Sequence, residues 1–213
     1  MIVGLSGYAG VGKSVAADML SRDYGFVAVS LADPIKRAAA DWFGWDEERL
    51  WGPSAARNEP DPRFRGLSAR TALQKMGSDT ARALYEDVWV EYALRVADSL
   101  FQSGILRSVH YSYTAAGGLR VTNVPEEPRP VGVVIPDVRY KNELAALRSR
   151  KNAMVIRIKR SMSGLTGEAA AHLSEREQQG IPDSAFDAVI DNDGSLDEFL
   201  TKVAKVVNER RNV

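Results

Sequence analysis

The stretch Gly7-Tyr8-Ala9-Gly10-Val11-Gly12-Lys13-Ser14 decides how this chain reads. It fits the pattern of a glycine, four residues, then Gly-Lys-Ser, in which backbone closes around phosphate oxygens. In front of it, Met1-Ile2-Val3-Gly4-Leu5-Ser6 is a short apolar run, bounded as a buried parallel strand should be. Behind it, Val15 to Leu20 continue as a helix, with Val15, Met19 and Leu20 expected on one face. That strand–loop–helix order gives the pattern its meaning. Glycines remove side chains so that N–H groups meet an anion at a helix end whose dipole favours it. The expected contacts to the phosphates of ATP are Ala9, Gly10, Val11, Gly12, Lys13, Ser14 and Val15. Lys13 can reach the β- and γ-phosphates, and the Ser14 hydroxyl can ligate Mg²⁺. The plainer alternative is a glycine-rich turn with a solvated lysine.

At 213 residues the chain is long enough for one domain with a full core. Its 28 Lys and Arg balance 28 Asp and Glu, so the general electrostatic footprint of a nucleic-acid binder is absent. Any site for a polyanion must come from local clustering of cations. The chain has no cysteine, which excludes disulfides, thiol chemistry and Cys-ligated zinc. No run of about eighteen apolar residues could span a membrane. The N-terminus enters a core strand without a basic leader. A cytoplasmic protein with no nucleic-acid and no membrane partner is the expectation.

Four further apolar runs read as core strands: Phe26–Leu31, Val131–Ile135, Met154–Ile158 and Phe186–Ile190. Helices alternate with them. Asp33 is placed as N-cap and Pro34 as first residue of a helix to about Phe43. Residues 44–66 read as loop, with Gly52-Pro53, Pro60 and Pro62 among charges. A long helical region runs from Ser68 to about Gln102, broken near Ser78 or Tyr85. Its apolar face is assigned to Leu73, Met76, Leu84, Val88, Tyr92 and Val96. His110–Thr114 and Leu119–Thr122 flank a glycine turn as a β-hairpin, and 126–130 reads as a linker. Asn142 to Arg150 is a helix. Ser195 N-caps a final helix whose stripe is Leu196, Phe199, Leu200, Val203 and Val206-Val207. The alternation implies an α/β fold: a five-stranded, mostly parallel sheet with helices on both faces.

Phosphate loops serve switches, motors and small-molecule kinases alike. The chain lacks an Asn-Lys-x-Asp guanine-reading motif, and it scatters single cations at loop and helix starts: Lys36, Arg37, Arg70, Arg139 and Arg160. An ordered set of stretches then accompanies the loop. These are Leu31-Ala32-Asp33-Pro34-Ile35-Lys36, Arg70–Asp79 with Trp89, and Val134-Ile135-Pro136-Asp137-Val138-Arg139 with Glu143. His172-Leu173-Ser174-Glu175 and Ile190–Leu196 complete it. In this set the chain resembles the bacteriophage deoxynucleoside monophosphate kinase family, over nearly its whole length. Residues 44–66 and 104–129 match poorly, and an acid at Asp33 departs from the family pattern.

The resemblance implies a three-layer P-loop kinase fold as one domain over 1–213. It would carry an acceptor-binding insertion at about 44–105, a hairpin insertion at about 109–124 and a lid at about 160–180. The implied reaction moves the ATP γ-phosphoryl to a (deoxy)nucleoside 5′-monophosphate, with Mg²⁺ as cofactor. Asp137 ends a strand at the ligand edge and is read as holding Mg²⁺ through water, with a helix cap as the alternative. Arg139 resembles the arginine that grips the acceptor phosphate, and Arg160 the lid arginine at the transferring group. With Lys13 they form the expected catalytic set. Asp33, Lys36, Arg70, Gln74, Asp137, Arg139 and Glu143 are the expected substrate contacts. Arg70 and Gln74 lie four apart on one helix face, as a ligand fork or as a surface pair. Asn192, Gly194 and Ser195 border the adenine of ATP or form a plain turn and cap. His172, Glu175 and Arg176 are secondary candidates. Trp42, Trp45 and Trp51 are a base platform or core packing. A homodimer through the hairpin is left open. The rival readings are a dephospho-coenzyme A kinase-like enzyme and a non-catalytic ATP-binding regulatory protein.

Overall fold

A computed structural model describes residues 1–103, 110–113, 119–122, 130–161 and 177–211. In chain order, β1 (Ile2–Ser6) leads through the glycine loop into α1 (Lys13–Tyr24), then β2 (Phe26–Ala28) and α2 (Asp33–Phe43). The insertion carries α3 (Glu47–Trp51), α4 (Ser54–Asn58), the two-residue strands β3 (Pro60–Asp61) and β4 (Leu67–Ser68), and α5 (Ala69–Gln74). A π-helical stretch, Lys75–Ala81, joins α5 to α6 (Arg82–Leu84), and α7 (Val88–Ser103) follows. Next come β5 (His110–Tyr113), β6 (Leu119–Thr122), β7 (Gly132–Val138), α8 (Lys141–Arg148), β8 (Ala153–Lys159), β9 (Ala188–Asp191) and a C-terminal helix, Leu196–Arg211.

Five strands form one sheet in the order β2-β7-β1-β8-β9, every pair parallel. Successive side chains point to opposite faces, and both faces are covered. Ile2, Val133, Ile135 and Val155 pack with Val90, Leu94, Ala97 and Leu100 of α7 and Leu144 and Leu147 of α8. Val3, Leu5, Val134 and Ile156 pack with Met19 and Leu20 of α1 and Phe199, Val203 and Val207 of the C-terminal helix. Each fully buried Leu, Ile or Phe contributes about 1.5–3 kcal/mol. These two clusters hold the sheet rigid enough to present its edge loops.

The three-layer α/β fold expected from the motifs, a five-stranded parallel sheet with helices on both faces, is the fold observed. Details differ. Val15 is 42% exposed, so α1 buries Ala16 and Ala17 instead, beside Met19 and Leu20. Leu84 and Leu196, assigned to buried stripes, are 85% and 57% exposed. α7 buries Val90, Ala93, Leu94, Ala97 and Leu100 most deeply, and Tyr92 and Val96 of the assigned stripe pack half-buried against the same cluster. The helical region does break at Tyr85, whose extended backbone ends α6. Residues 44–66 are not a loop. Asp46 caps α3 by accepting from the Arg49 N–H at 2.9 Å. Trp45 is core: it stacks on Phe43 at 4.4 Å and donates its indole N–H to buried Asp61 at 2.7 Å. Arg63, which donates to the same carboxylate, holds Asp61 well below the usual range, with Trp45 adding to the effect. This aromatic and ionic knot anchors the insertion on α2 and α5. The hairpin is observed, β5 and β6 pairing antiparallel.

Candidate active site

All five strands of the sheet run the same way, so their outgoing loops share one edge, where parallel α/β sheets bind ligands. That edge carries Gly7–Ser14 after β1, Ser30–Ala32 after β2, Asp137 and Arg139 at the end of β7, Arg160 after β8 and Asn192–Ser195 after β9.

The glycine loop has the backbone its sequence demands. Gly7, Gly10 and Gly12 sit at φ +140°, +81° and +104°. A Cβ at Gly7 would be driven into the Ile158 carbonyl oxygen, while one at Gly10 would meet nothing within 4 Å. One side of the loop therefore lies tight against β8, and the other is open. Gly12 precedes α1, and no side chain caps that helix start. Its first N–H groups face the open side with the positive end of the dipole. The Lys13 ammonium lies across the loop, donating to the carbonyls of Gly7 at 2.6 Å and Tyr8 at 2.7 Å. Ser14 and Val15 are exposed beside it.

Asn192 stands behind this loop. It is buried, its side-chain amide donates to the Val11 carbonyl at 2.8 Å, and a Cβ at Gly12 would come within 2.7 Å of that amide. Asn192, expected at the ATP site, thus braces the glycine loop from behind. Ser195 and Gly194 build the start of the last helix. Ser195 N–H donates to Glu198 Oε2 at 3.0 Å and Glu198 N–H to Ser195 Oγ at 3.2 Å. The cap reading accounts for both.

Asp33 does not cap α2. The cap position is Ala32, and the Asp33 carboxylate accepts from the Trp51 indole at 3.2 Å. Asp137, 105–107 residues away, holds the turn that leads into α2 instead: it accepts from the Leu31 N–H at 2.9 Å, the Ala32 N–H at 3.1 Å and the Ser30 hydroxyl at 2.6 Å. Three donors fill most of the four acceptor sites of a carboxylate. Lys36, in the first turn of α2, lies 5.2 Å from the Trp51 ring centre. Burial pushes its ammonium pKa down, the charges of Asp33 and Asp137 oppose that, and Arg57 adds to it. Arg70 donates to the Asn58 side chain and, at 3.2 Å, to Ser54 Oγ. Gln74 shares its helix face and is half-buried. Arg57 reaches the same Ser54 Oγ at 3.3 Å. Sequence reading missed Arg57 because 44–66 had no motif; the signal available was only its placement in a segment tied to Arg70.

Glu143 is 2% exposed, and its Oε2 accepts from the Arg139 N–H at 2.7 Å and the Tyr140 N–H at 3.0 Å. Glu143, an expected substrate contact, caps α8 and fixes the backbone that carries Arg139. Burial pushes its carboxyl up to about 7, opposed by those two amides, with Asp137 raising it further and Arg82 lowering it. An unfolded chain ionises this group at about 4.3, so the native state keeps its proton longer. Its stabilising contribution is complete below about pH 4.3, is lost as pH rises towards about 7 and is flat above. A shift of this size corresponds to about 4 kcal/mol. Glu143→Gln keeps an acceptor for both amides and removes the titration. The stability gap between variant and wild type in urea unfolding should therefore grow from about pH 5 to about pH 7; a gap independent of pH contradicts the assignment.

Arg160 is exposed at the end of β8, next to Ser161, whose N–H and hydroxyl both donate to Asp193 at 2.7 Å. Those bonds hold the Asp193 carboxyl below its usual range, and the charge of Arg160 adds to them. The start of the 160–180 segment is thereby clipped to the loop after β9. His172, Glu175 and Arg176 lie outside the described residues. Among the described residues no group of three or more His, Asp or Glu forms a cation cage. Mg²⁺ bound through one hydroxyl, water and phosphate oxygens needs none, and exposed Ser14 beside the open loop fits that donor set. No helix among the described residues is long and apolar enough to cross a membrane.

No protein-family model matches the chain. A protein of Acanthamoeba polyphaga mimivirus described as "Putative deoxynucleotide monophosphate kinase" is 27% identical over 208 residues, covering 98% of this chain and 96% of that one. The resemblance read from the motifs is therefore carried along the full length. Among solved structures, shikimate kinase from Aquifex aeolicus vf5 superposes with a TM-score of 0.51 at 13% identity, covering 99% of this chain and 98% of that one. Dephospho-CoA kinase from Campylobacter jejuni gives 0.50 at 15% identity, covering 98% and 96%. Both likenesses concern the fold.

Proposed function

We propose that this chain transfers the γ-phosphoryl group of ATP to a (deoxy)nucleoside 5′-monophosphate, giving ADP and the diphosphate. The observation that carries the reading is an uncapped glycine cradle with Lys13, beside a second group of cations: Lys36 on α2, Arg57 on α4, Arg70 on α5 and Arg139 after β7. Two anionic molecules side by side need two such groups of donors. The full-length similarity to the mimivirus protein supports the acceptor class over dephospho-coenzyme A.

The chemistry asks little of the side chains. A phosphate monoester has a second pKa of about 6, so the acceptor is mostly dianion at neutral pH and already nucleophilic. Its oxygen attacks the γ-phosphorus as the bond to the β–γ bridging oxygen breaks, and ADP departs with that electron pair. Positioning and charge stabilisation then make the rate. Lys13 would leave the Gly7 and Tyr8 carbonyls for the β- and γ-oxygens, and the α1 N–H groups would take the β-phosphate. Arg139, its backbone fixed by Glu143, would orient the acceptor phosphate. Arg160 would neutralise the transferring group; most of the expected lid, 162–176, lies outside the described residues. Ser14 would hold Mg²⁺ directly and Asp137 would hold it through water, and the ion would supply positive charge to offset that of the phosphates.

Coupled detection of ADP over a panel of four deoxynucleoside monophosphates, their ribose counterparts, dephospho-coenzyme A and no acceptor tests this. ADP formed with one or more deoxynucleotides is the expected result. Turnover with dephospho-coenzyme A alone, or with nothing, overturns it.

A further inference from the structure

We infer that Arg57 donates a guanidinium N–H to the phosphate of the acceptor molecule, closing with Arg70, Arg139 and Lys36 a pocket for a phosphate dianion. This rests on the reading above that a second phosphorylated molecule binds at this edge.

The Arg57 Nε is fully buried and has no hydrogen-bond partner. Leaving a buried donor unmade costs about 1–3 kcal/mol, more when it is charged. An arginine cannot shed its proton to escape that cost. Its hydrogen bond from Nη2 to Ser54 Oγ, three residues earlier, gives no countercharge. Among the described residues Arg57 makes no ion pair. Neighbouring arginines differ: Arg49 and Arg63 reach Asp61, and Arg82 reaches Glu86 and Glu143. The fold neutralises those and leaves Arg57 for something else.

What surrounds Arg57 is positive. Ser54 Oγ accepts from Arg57 and Arg70 at once, so two guanidiniums converge on one hydroxyl. Burial lowers the Arg57 pKa, and the charge of Arg139 lowers it further; Arg57 in turn acts on Lys36. These contacts meet at α4, which carries both Ser54 and Arg57 and supplies Asn58 to Arg70. Mutual repulsion of this kind is relieved by an anion that can accept from several forks together, and a tetrahedral phosphate does so.

The test compares wild type, Arg57→Ala and Arg57→Lys. Steady-state kinetics give KM for the best deoxynucleoside monophosphate and for ATP, and calorimetry gives Kd for the monophosphate without ATP. Arg57→Ala should raise both acceptor constants by about 10- to 100-fold and leave KM for ATP within about twofold. Arg57→Lys should recover part of the loss, a point charge replacing a fork. Unchanged acceptor constants in Arg57→Ala overturn the inference while wild-type turnover leaves the proposed reaction standing. If wild type forms no ADP with any monophosphate but binds one, and Arg57→Ala loses that binding, the reaction falls and the pocket stands. No binding of any monophosphate to wild type overturns both. Should Arg57→Ala fail to fold, Arg57→Lys decides: acceptor constants equal to wild type for both substrates, with no change of any kind, count against Arg57.

Discussion

Lys13→Met is expected to lower kcat by on the order of a thousandfold while unfolding only about 2–4 °C below wild type. The two effects separate because they rest on different contacts. In the structure the ammonium donates to the Gly7 and Tyr8 carbonyls, bonds that are half-buried and together worth about 1 kcal/mol net. For a domain of this size that is the stated fall in melting temperature. The loop does not depend on them: Asn192 holds Val11 from behind, and the Gly12 carbonyl already accepts from the Ala16 N–H at 3.0 Å. Methionine follows much of the lysine stem, so packing is nearly kept. What is lost is a charge aimed at developing negative charge, the term that positioned donors supply most strongly. Initial rates of ADP formation and a thermal melt on the same sample make the test. A variant that still turns over within tenfold of wild type removes Lys13 from the reaction.

The sheet and its active edge were legible because each rests on a local rule. Runs such as Val131–Ile135 and Met154–Ile158 are buried on both faces and therefore read without a period; they became the cores of β7 and β8. The loop could be read residue by residue because phosphate binding demands glycine at fixed positions, and all three glycines of the motif hold positive φ. Helix faces were less legible. Val15, Leu84 and Leu196 fit a helical stripe but lie at helix ends, where the neighbouring layer no longer covers them. Long-range hydrogen bonds were not legible at all. Asp33 sits where a cap belongs, yet Asp137 takes the amides, because β7 ends beside the turn that leaves β2. Glu143 and Asn192 likewise belong to the site through the backbone they hold. Arg57 escaped for the opposite reason: nothing within 44–66 repeats or matches, and its meaning comes only from Ser54 and Arg70.

Gly7→Ala should be the most destabilising single-methyl change in the loop, about 3 kcal/mol or more, whereas Gly10→Ala should cost only about 1–2 kcal/mol. Both glycines hold positive φ, +140° and +81°, so each variant bears the backbone strain that an L side chain meets there. Space separates them. At Gly7 the new methyl would be driven into the Ile158 carbonyl oxygen and would sit 3.0 Å from Val11 Cγ2; at Gly10 it meets nothing within 4 Å. A carbonyl inside a parallel ladder cannot step aside, since β8 is paired on both edges, to β1 and to β9. The loop must move instead, and it carries Gly7 O away from Lys13 and Val11 O away from Asn192. At about 2–4 °C per kcal/mol, Gly7→Ala should melt about 6–12 °C below wild type and lose ATP binding with it. Gly10→Ala should keep most of its stability and weaken ATP mainly through the methyl placed on the open side, where phosphate oxygens are expected. Thermal melts with and without ATP distinguish the cases. Equal losses for the two variants without ATP would mean that the tight packing of Gly7 on β8 does not govern the loop.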